Sequence, residues 1–457
     1  MGRSVAPLGR AGHHAAVEIR DTRYAVTDDG VFLAYQVTGE GPLDLVWEPN
    51  FFADVDLHWE TPDLGPWLRE LSTIGRLISH DPRGIGLSSR NVPPPNLETR
   101  MADLRVVLDT IGCDRPVLAG IGNGGAAMML LAATEPERVR SLIWLSPSPR
   151  TAWAPDYPWG AGPEYQAAEE NAFELWGTKE FGPAFARTEE VVGGHVDEDE
   201  QAWTAVVARH TATPDVAREL SRIWWETDIR AVLPTVQVPA LFIVPEVDSD
   251  EAAYTASLMP DAQVRVFPGG WLRLEDYPAY ADAIRGFIGV ERPHPELDTV
   301  LATVLFTDIV DSTQTQSRLG DHAWKELLER HHAVVRGALA RWHGTESDTA
   351  GDGFYATFEG PARAIRCAQE IARDVGSLGL EVRAGVHTGE CEVIDGKYGG
   401  LAVTIGSRIS AQAQASEVLI SQTVKDLVAG SGLAFEDAGE HDLKGVPDRW
   451  HLYRVGM

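Results

Sequence analysis

Leu305-Phe-Thr-Asp-Ile-Val-Asp-Ser-Thr313 decides how the second half of this chain is read. Residues 299–306 form an apolar, β-branched run of strand character, and Asp308 stands where that strand ends. About forty residues further on, Ala350-Gly-Asp-Gly-Phe354 sets a second acid, Asp352, between glycines that permit a tight hairpin tip. Two carboxylates on neighbouring strands suit hard divalent cations, which take oxygen ligands from rigid elements. Such cations, about 4 Å apart, activate an attacking oxygen and neutralise a leaving one in a displacement at phosphorus. The turn after Asp308 runs towards a helix, so main-chain N–H groups from Ile309 to Thr313 can cradle phosphates. Either segment alone is a weak signal, because an acid at a strand end is usually a solvated turn.

The surrounding pattern supports an α+β unit. Residues 321–342 read as an amphipathic helix with Trp324, Leu327, Leu328, Val335 and Leu339 on one stripe. The glycine hairpin follows, then a helix over 361–375, a strand over 381–388, a helix over 403–414 and a strand over 417–421. This βαββαβ order predicts a ferredoxin-like sheet. The adjacent pairs His13–His14 and His331–His332 read as solvated side chains, not metal ligands.

Upstream, the chain alternates short β-branched runs with helical patterns, the sign of a mostly parallel α/β sheet. Strands are expected at 43–47, 76–80, 116–119, 141–145, 240–244 and 263–267. Between 148 and 234 the alternation stops, and a helical cap carries Trp153, Trp159, Trp176, Trp203, Trp224 and Trp225. Those rings could line a pocket for an apolar ligand, but the reading preferred here is that they are core. The expected organisation is a disordered tail over 1–21, an α/β domain over 22–290, a proline-marked linker over 291–297 and an α+β domain over 298–457.

Composition excludes several classes of function. A net charge of −29 over 457 residues disfavours nucleic acid and anionic membrane as partners, since both would be repelled. Apolar content of 44 % with 23 % charged residues is that of a globular protein. Three cysteines, Cys113, Cys367 and Cys391, lie far apart, which suits a reducing compartment and offers no zinc spacing. The N-terminal residues lack the apolar core of a secretory signal. The apolar stretch 116–133 is interrupted by glycines and Asn123, so it reads as strand, turn and helix, not a membrane span. A cytoplasmic location is expected.

The upstream segments His80-Asp-Pro-Arg-Gly-Ile-Gly-Leu-Ser88, 117–147 and 238–248 together resemble the α/β-hydrolase family. That family requires G-x-S-x-G, in which a strained strand-to-helix turn exposes a serine oxygen. Here the elbow reads Gly120-Ile-Gly-Asn-Gly124, and Gly122 stands at the nucleophile position. The resemblance puts the acid at Asp248 and the histidine near Leu272, in Phe267-Pro-Gly-Gly-Trp-Leu272, but no histidine lies between His210 and His294. A triad works as a unit, so the expectation is a pseudohydrolase, an esterase with an unusual nucleophile being the remote alternative.

Asp308 and Asp352, followed by Val-Arg-Ala-Gly-Val-His-Thr-Gly-Glu (382–390) and Leu-Lys-Gly-Val-Pro-Asp-Arg-Trp-His-Leu-Tyr-Arg-Val (443–455), resemble the class III adenylyl/guanylyl cyclase catalytic domain. Joined to a hydrolase-like half, this looks like a group of actinobacterial, notably mycobacterial, cyclases. The resemblance implies conversion of a nucleoside triphosphate to a cyclic nucleotide, with two Mg²⁺ or Mn²⁺ ions per site. It also implies a homodimer with shared active sites.

Within that resemblance, Asp308 and Asp352 match the metal ligands and Arg408 the transition-state arginine. Thr404 stands where the family has asparagine, and Lys444 matches a phosphate-contacting lysine. Losing one well-placed transition-state donor costs on the order of 10²–10³ in rate, so a slow enzyme is expected. Asp311 replaces a usual glycine and adds charge near the phosphates. The base-reading positions fall on Asp348 and Lys397, with the family's charges exchanged. They could accept from guanine N1–H and donate to O6, or they could pair with each other and read nothing. A different class of function, a sensor or scaffold that binds nucleotide or lipid without turnover, also fits Thr404, Asp311 and Asp348.

Overall fold

In the first sheet of the computed structural model, eight strands run in the order β1-β2-β4-β3-β5-β6-β7-β8. The structure describes residues 20–50, 53–62, 64–191, 196–269, 276–289, 299–394 and 397–456. The expected tail (all but 20–21), the linker over 291–297 and Leu272 lie outside them. Strands β1 (Thr22–Val26), β2 (Phe32–Thr38) and β3 (Asp44–Glu48) precede helix α1 (Leu64–Ser72) and β4 (Arg76–His80). Helix α2 (Leu97–Ile111), β5 (Val117–Ile121), α3 (Gly125–Thr134) and β6 (Ser141–Leu145) follow. After the cap come β7 (Ala240–Pro245), a helix over Ser249–Ser257, β8 (Ala262–Phe267) and a helix over Tyr277–Ile288.

From β3 onward every pairing is parallel, which demands crossover helices on both faces and buries strands such as β6 and β7 throughout. All six expected strands are present, within two residues at each end. The cap comprises α4 (Pro163–Phe173), α5 (Phe181–Val191), α6 (Glu198–Thr211) and α7 (Pro214–Glu226); the two helices after β7 and β8 are α8 and α9.

The expectation that the cap tryptophans are core does not hold. Trp153 and Trp159 are exposed, and Trp176, Trp203, Trp224 and Trp225 are only half-buried. The fully packed indoles are Trp47, Trp59, Trp67 and Trp144 on and under the sheet. The rings that the cap does enclose are Phe173 and Phe181, on its inward helix faces.

The second sheet begins with β9 (Thr299–Ile309), followed by α10 (Ser312–Leu319) and α11 (Asp321–Arg341). The hairpin β10 (Thr345–Ala350) and β11 (Gly353–Phe358), α12 (Pro361–Gly376) and β12 (Val382–Ile394) complete βαββαβ. These strands lie in the order β10-β11-β9-β12, as a ferredoxin-like unit requires. The chain continues through β13 (Lys397–Gly399), α13 (Leu401–Gln412), β14 (Val418–Ser421), α14 (Gln422–Leu427), β15 (Phe435–Asp442) and β16 (Arg449–Val455).

The two faces of this sheet are covered differently. Leu305 and Ile309 of β9 pack with α11 and α12, while Val304 and Phe306 face α13. Helix α13 comes very close: a Cβ at Gly406 would lie 2.5 Å from Val304 Cγ2, and one at Gly385 only 2.2 Å from the Ser410 nitrogen.

The two halves touch. Glu98 of α2 accepts a hydrogen bond from the Ala362 N–H at 2.9 Å and meets Arg363 at 3.4 Å. Gln237 donates to the Thr299 carbonyl, and Leu301 and Leu427 join the hydrophobic core of the first half.

Candidate functional site

Antiparallel pairing of Phe354 with Thr307 puts the β10–β11 turn against the C-terminal end of β9. Asp308 leaves β9 on the face shared with Phe306, and Asp352 occupies the turn between β10 and β11. Gly351 makes that turn with φ +66°. Asp352 is half-buried, and its Oδ2 atom is enclosed without any hydrogen-bond partner. A buried carboxylate oxygen left bare is costly unless a cation meets it. The pair therefore fits divalent metal. Among the described residues no group of three or more acidic, histidine or cysteine side chains could hold an ion, so substrate phosphates and water would complete the coordination.

Asp308 is engaged by Arg383, its cross-strand neighbour on β12, through Nη2 at 2.6 Å and Nε at 3.2 Å. Sequence reasoning missed this residue, since only register puts it there. Of the phosphate-cradle residues, Ile309 has its side chain in the core, so only its main chain could face substrate, and Thr313 is exposed. Helix α10 begins with no side-chain cap, which leaves its first N–H groups available. Asp311 sits just before it at φ +54°, a conformation that glycine reaches freely and aspartate tolerates. That geometry explains why glycine is the usual residue there.

Thr404 and Arg408 lie one turn apart on α13, both half-buried. Arg408 Nε donates to the Lys444 carbonyl at 3.1 Å, so two of the candidate residues are joined. Among the described residues, no hydrogen bond or ion pair links Asp308 or Asp352 to Thr404, Arg408 or Lys444 within the single chain. Asp348 and Lys397 are both exposed and form no ion pair with each other. Asp348 instead accepts from the Thr349 N–H at 2.9 Å. Within one chain no ion pair supports the reading in which the two neutralise one another.

The expectation of solvated histidines fails at His331. It is fully buried on the inner stripe of α11, four residues from Leu327 and from Val335, and neither ring nitrogen has a partner. Burial, with His332 adding repulsion, lowers its pKa to about 4. Extending the apolar stripe by one step would have found it. His332 meets the Gly351 carbonyl at 3.0 Å and its ring packs edge-on to Phe354, so it buttresses the turn that carries Asp352. His13 and His14 lie outside the described residues.

In the first half, Gly122 keeps the positive φ of a nucleophile elbow, +50°, and a Cβ there would meet nothing within 4 Å. The strained turn persists with no side chain to present. Trp144 donates to the Gly122 carbonyl at 2.7 Å. Asp248 follows β7, and burial raises its pKa. A cavity opens between Asn123 at the elbow, Arg100 of α2, and Leu220, Ile223 and Trp224 of α7.

These two assemblies define a chain that joins a domain of the α/β-hydrolase fold to a class III cyclase catalytic domain. Residues 58–270 match the family model of the alpha/beta hydrolase fold, and residues 294–455 match that of the adenylate and guanylate cyclase catalytic domain. An uncharacterised protein of Mycobacterium tuberculosis is 29 % identical over 155 residues, 33 % of this chain and 53 % of that protein. A receptor-type adenylate cyclase of Trypanosoma brucei brucei, GRESAG 4.3, is 24 % identical over 212 residues, 35 % of this chain and 17 % of that one. An esterase from Exiguobacterium antarcticum shares the fold of the first half at 18 % identity and TM-score 0.50, covering 58 % of this chain and 99 % of its own. The chain thus spans about half the length of the mycobacterial relative it matches. Among the described residues no helix is long and apolar enough to cross a membrane.

Proposed function

We propose that this chain is a metal-dependent nucleotide cyclase, converting a nucleoside triphosphate to its 3′,5′-cyclic monophosphate and pyrophosphate. The bare Oδ2 of Asp352, held beside the end of the strand that carries Asp308, is the observation that carries the reading. In the reaction, the ribose 3′-oxygen bonds to the α-phosphorus, the bond from that phosphorus to the bridging oxygen breaks, and the hydroxyl proton passes to water. Bound Mg²⁺ or Mn²⁺ would supply charge neutralisation at the attacking and leaving oxygens. Asp308 and Asp352 would hold the ions, and the first N–H groups of α10 would orient the phosphates. Arg408, steadied through Nε by the Lys444 carbonyl, would keep its Nη groups for charge developing at the α-phosphoryl oxygens.

Among the described residues of one chain, Asp308 and Asp352 make no hydrogen bond or ion pair with Thr404, Arg408 or Lys444. That is compatible with the homodimer that the family resemblance implies, each site drawing metal ligands from one copy and α13 from the other. Thr404 offers a shorter donor than asparagine, which supports a slow enzyme. Unpaired Asp348 and Lys397 favour guanine, whose N1–H donates and whose O6 accepts. The hydrolase-like half, lacking nucleophile and histidine, would regulate, and buried reduced cysteines suit the cytoplasm.

Purified protein with Mn²⁺ and each of the four nucleoside triphosphates tests this. Cyclic GMP should exceed cyclic AMP, and the double exchange Asp348→Lys with Lys397→Asp should reverse the preference. No cyclic product from any substrate at high enzyme concentration, with nucleotide-dependent thermal stabilisation, would establish a non-catalytic sensor instead.

A further inference from the structure

His332 stands one turn before Arg336 on α11, and the two side chains reach the same hairpin. Arg336 holds β10 through a two-pronged pair with Glu346, 2.8 Å at both contacts. His332 reaches the turn itself, where its Nε2 lies 3.0 Å from the Gly351 carbonyl oxygen. A carbonyl only accepts, so the ring carries its hydrogen on Nε2 and donates it. The ring is held in its own right. Phe354 lies edge-on to it at 5.1 Å and to the buried His331 at 5.8 Å.

The peptide that His332 grips is the one that aims Asp352. Ala350 pairs with Gly353, so Gly351 and Asp352 alone make the turn. Gly351 takes φ +66°, while the φ of Asp352 is not positive. That is the pattern of a type II′ turn, which Gly-Asp suits. Its rival, type I′, needs positive φ at both residues and differs chiefly by rotation of the central peptide. Here that peptide joins the Gly351 carbonyl to the Asp352 N–H. Aspartate tolerates positive φ, so residue type alone does not forbid the rotated form. Rotation would re-aim the Asp352 Cβ, and with it the enclosed Oδ2 that has no partner. A hydrogen bond to the Gly351 carbonyl opposes it.

We infer that His332 is a positioning residue of the metal site: its hydrogen bond locks the Gly351–Asp352 peptide and so keeps the Asp352 carboxylate aimed to accept an ion. The consequence for metal rests on the proposed function; the lock on the turn does not. Arg336 provides the contrast, because it anchors the same hairpin from the same helix without touching the turn.

The test uses the full chain and three variants. His332→Phe keeps a ring against Phe354 but removes the donor, His332→Gln restores an amide N–H at similar reach, and Arg336→Gln loosens the hairpin away from the turn. Hydrogen exchange across residues 350–354 should quicken in His332→Phe and return towards wild type in His332→Gln. Mn²⁺ binding is read from the paramagnetic resonance of the free ion, with 3′-deoxy-GTP or 3′-deoxy-ATP, which lack the attacking hydroxyl. It should weaken roughly three- to tenfold in His332→Phe, as the loss of one hydrogen bond allows. His332→Gln should recover it, and Arg336→Gln should leave it unchanged. The half-saturating Mn²⁺ of cyclisation should follow the same order, with kcat at saturating Mn²⁺ moving less. Unchanged exchange in His332→Phe, no recovery in His332→Gln, or an equal shift in Arg336→Gln would each overturn the lock. Quickened exchange with unchanged Mn²⁺ binding would overturn its role in the metal site. Wild type that binds Mn²⁺ yet forms no cyclic product would sink the cyclase reading alone, and the exchange and binding results would still decide the lock.

Discussion

Arg383 and Asp308 face one another across β12 and β9 and form a two-pronged ion pair, 2.6 Å at its shorter contact. Both contacts fall on Oδ2, so the arginine competes with a metal ion for that oxygen of the carboxylate proposed to hold it. Both side chains are more than a third open to solvent, or nearly so, which places the pair in the weak class of about 0.2–1 kcal/mol. Arg383→Gln should lower the half-saturating Mn²⁺ concentration of cyclisation by roughly two- to fivefold. A metal titration of the initial rate checks it, and an unchanged or raised half-saturation would show that Arg383 does not compete.

If each site is shared between two copies, defects in Asp308 and Arg408 can complement. Asp308→Ala and Arg408→Ala should each lose on the order of 10²–10³ in kcat while retaining their thermal transitions. Mixed in equal amounts, they should recover roughly a quarter of wild-type activity, since half the dimers are mixed and each has one intact site. No recovery after exchange is verified would place all five residues in one chain.

Thr404 sits one turn before Arg408 and reaches only the Gly400 carbonyl, at 3.4 Å. Thr404→Asn lengthens the donor by one bond on the same face of α13. It should raise kcat about tenfold or more, with KM changed less, because the gain lies in the transition state. Steady-state kinetics on both substrates decide this.

The cyclase half carries acid sensitivity in two buried histidines. Burial lowers the pKa of His331 to about 4 and of His387 to about 3. Each binds its proton more readily in the unfolded chain, near the ordinary value of about 6.5. Their stabilising neutrality is thus complete above that pH and is lost as pH falls towards 4 and 3. His331→Leu removes one such group along with two unpartnered nitrogens. Its advantage over wild type in thermal melts should widen steadily from pH 7 down to pH 4.5. A constant advantage would mean that His331 is not titrating on unfolding.

Much of this architecture was legible because its signals are local. Apolar runs bounded by turn residues located β4 and β6 to the residue, and the glycines around Asp352 located the hairpin. The two aspartates proposed to hold metal stood out by residue type and setting, whereas Arg408 and Lys444 entered only through the resemblance to the cyclase family. What escaped depends on register or on contacts between distant segments. Arg383 reaches Asp308 only because β12 pairs antiparallel with β9, and His332 touches Gly351 only through packing of α11 on the hairpin. His331 was misjudged because a polar residue type outweighed its place on a buried stripe. The cap tryptophans were misjudged because residue type does not say which ring a helix turns inward: Phe173 and Phe181 of the same cap are buried.

Glu98 has a consequence for anyone who would cut this protein in two. The opening turn of α12 owes its terminal acceptor to a side chain more than 260 positions earlier, and no residue of its own supplies a replacement cap. Severed near residue 298, the catalytic fragment would start life with a frayed helix and with Leu301 and Leu427 stripped of their covering. Excised cyclase fragments are thus poor proxies for the intact molecule, and their sluggishness would reflect the surgery as much as the chemistry.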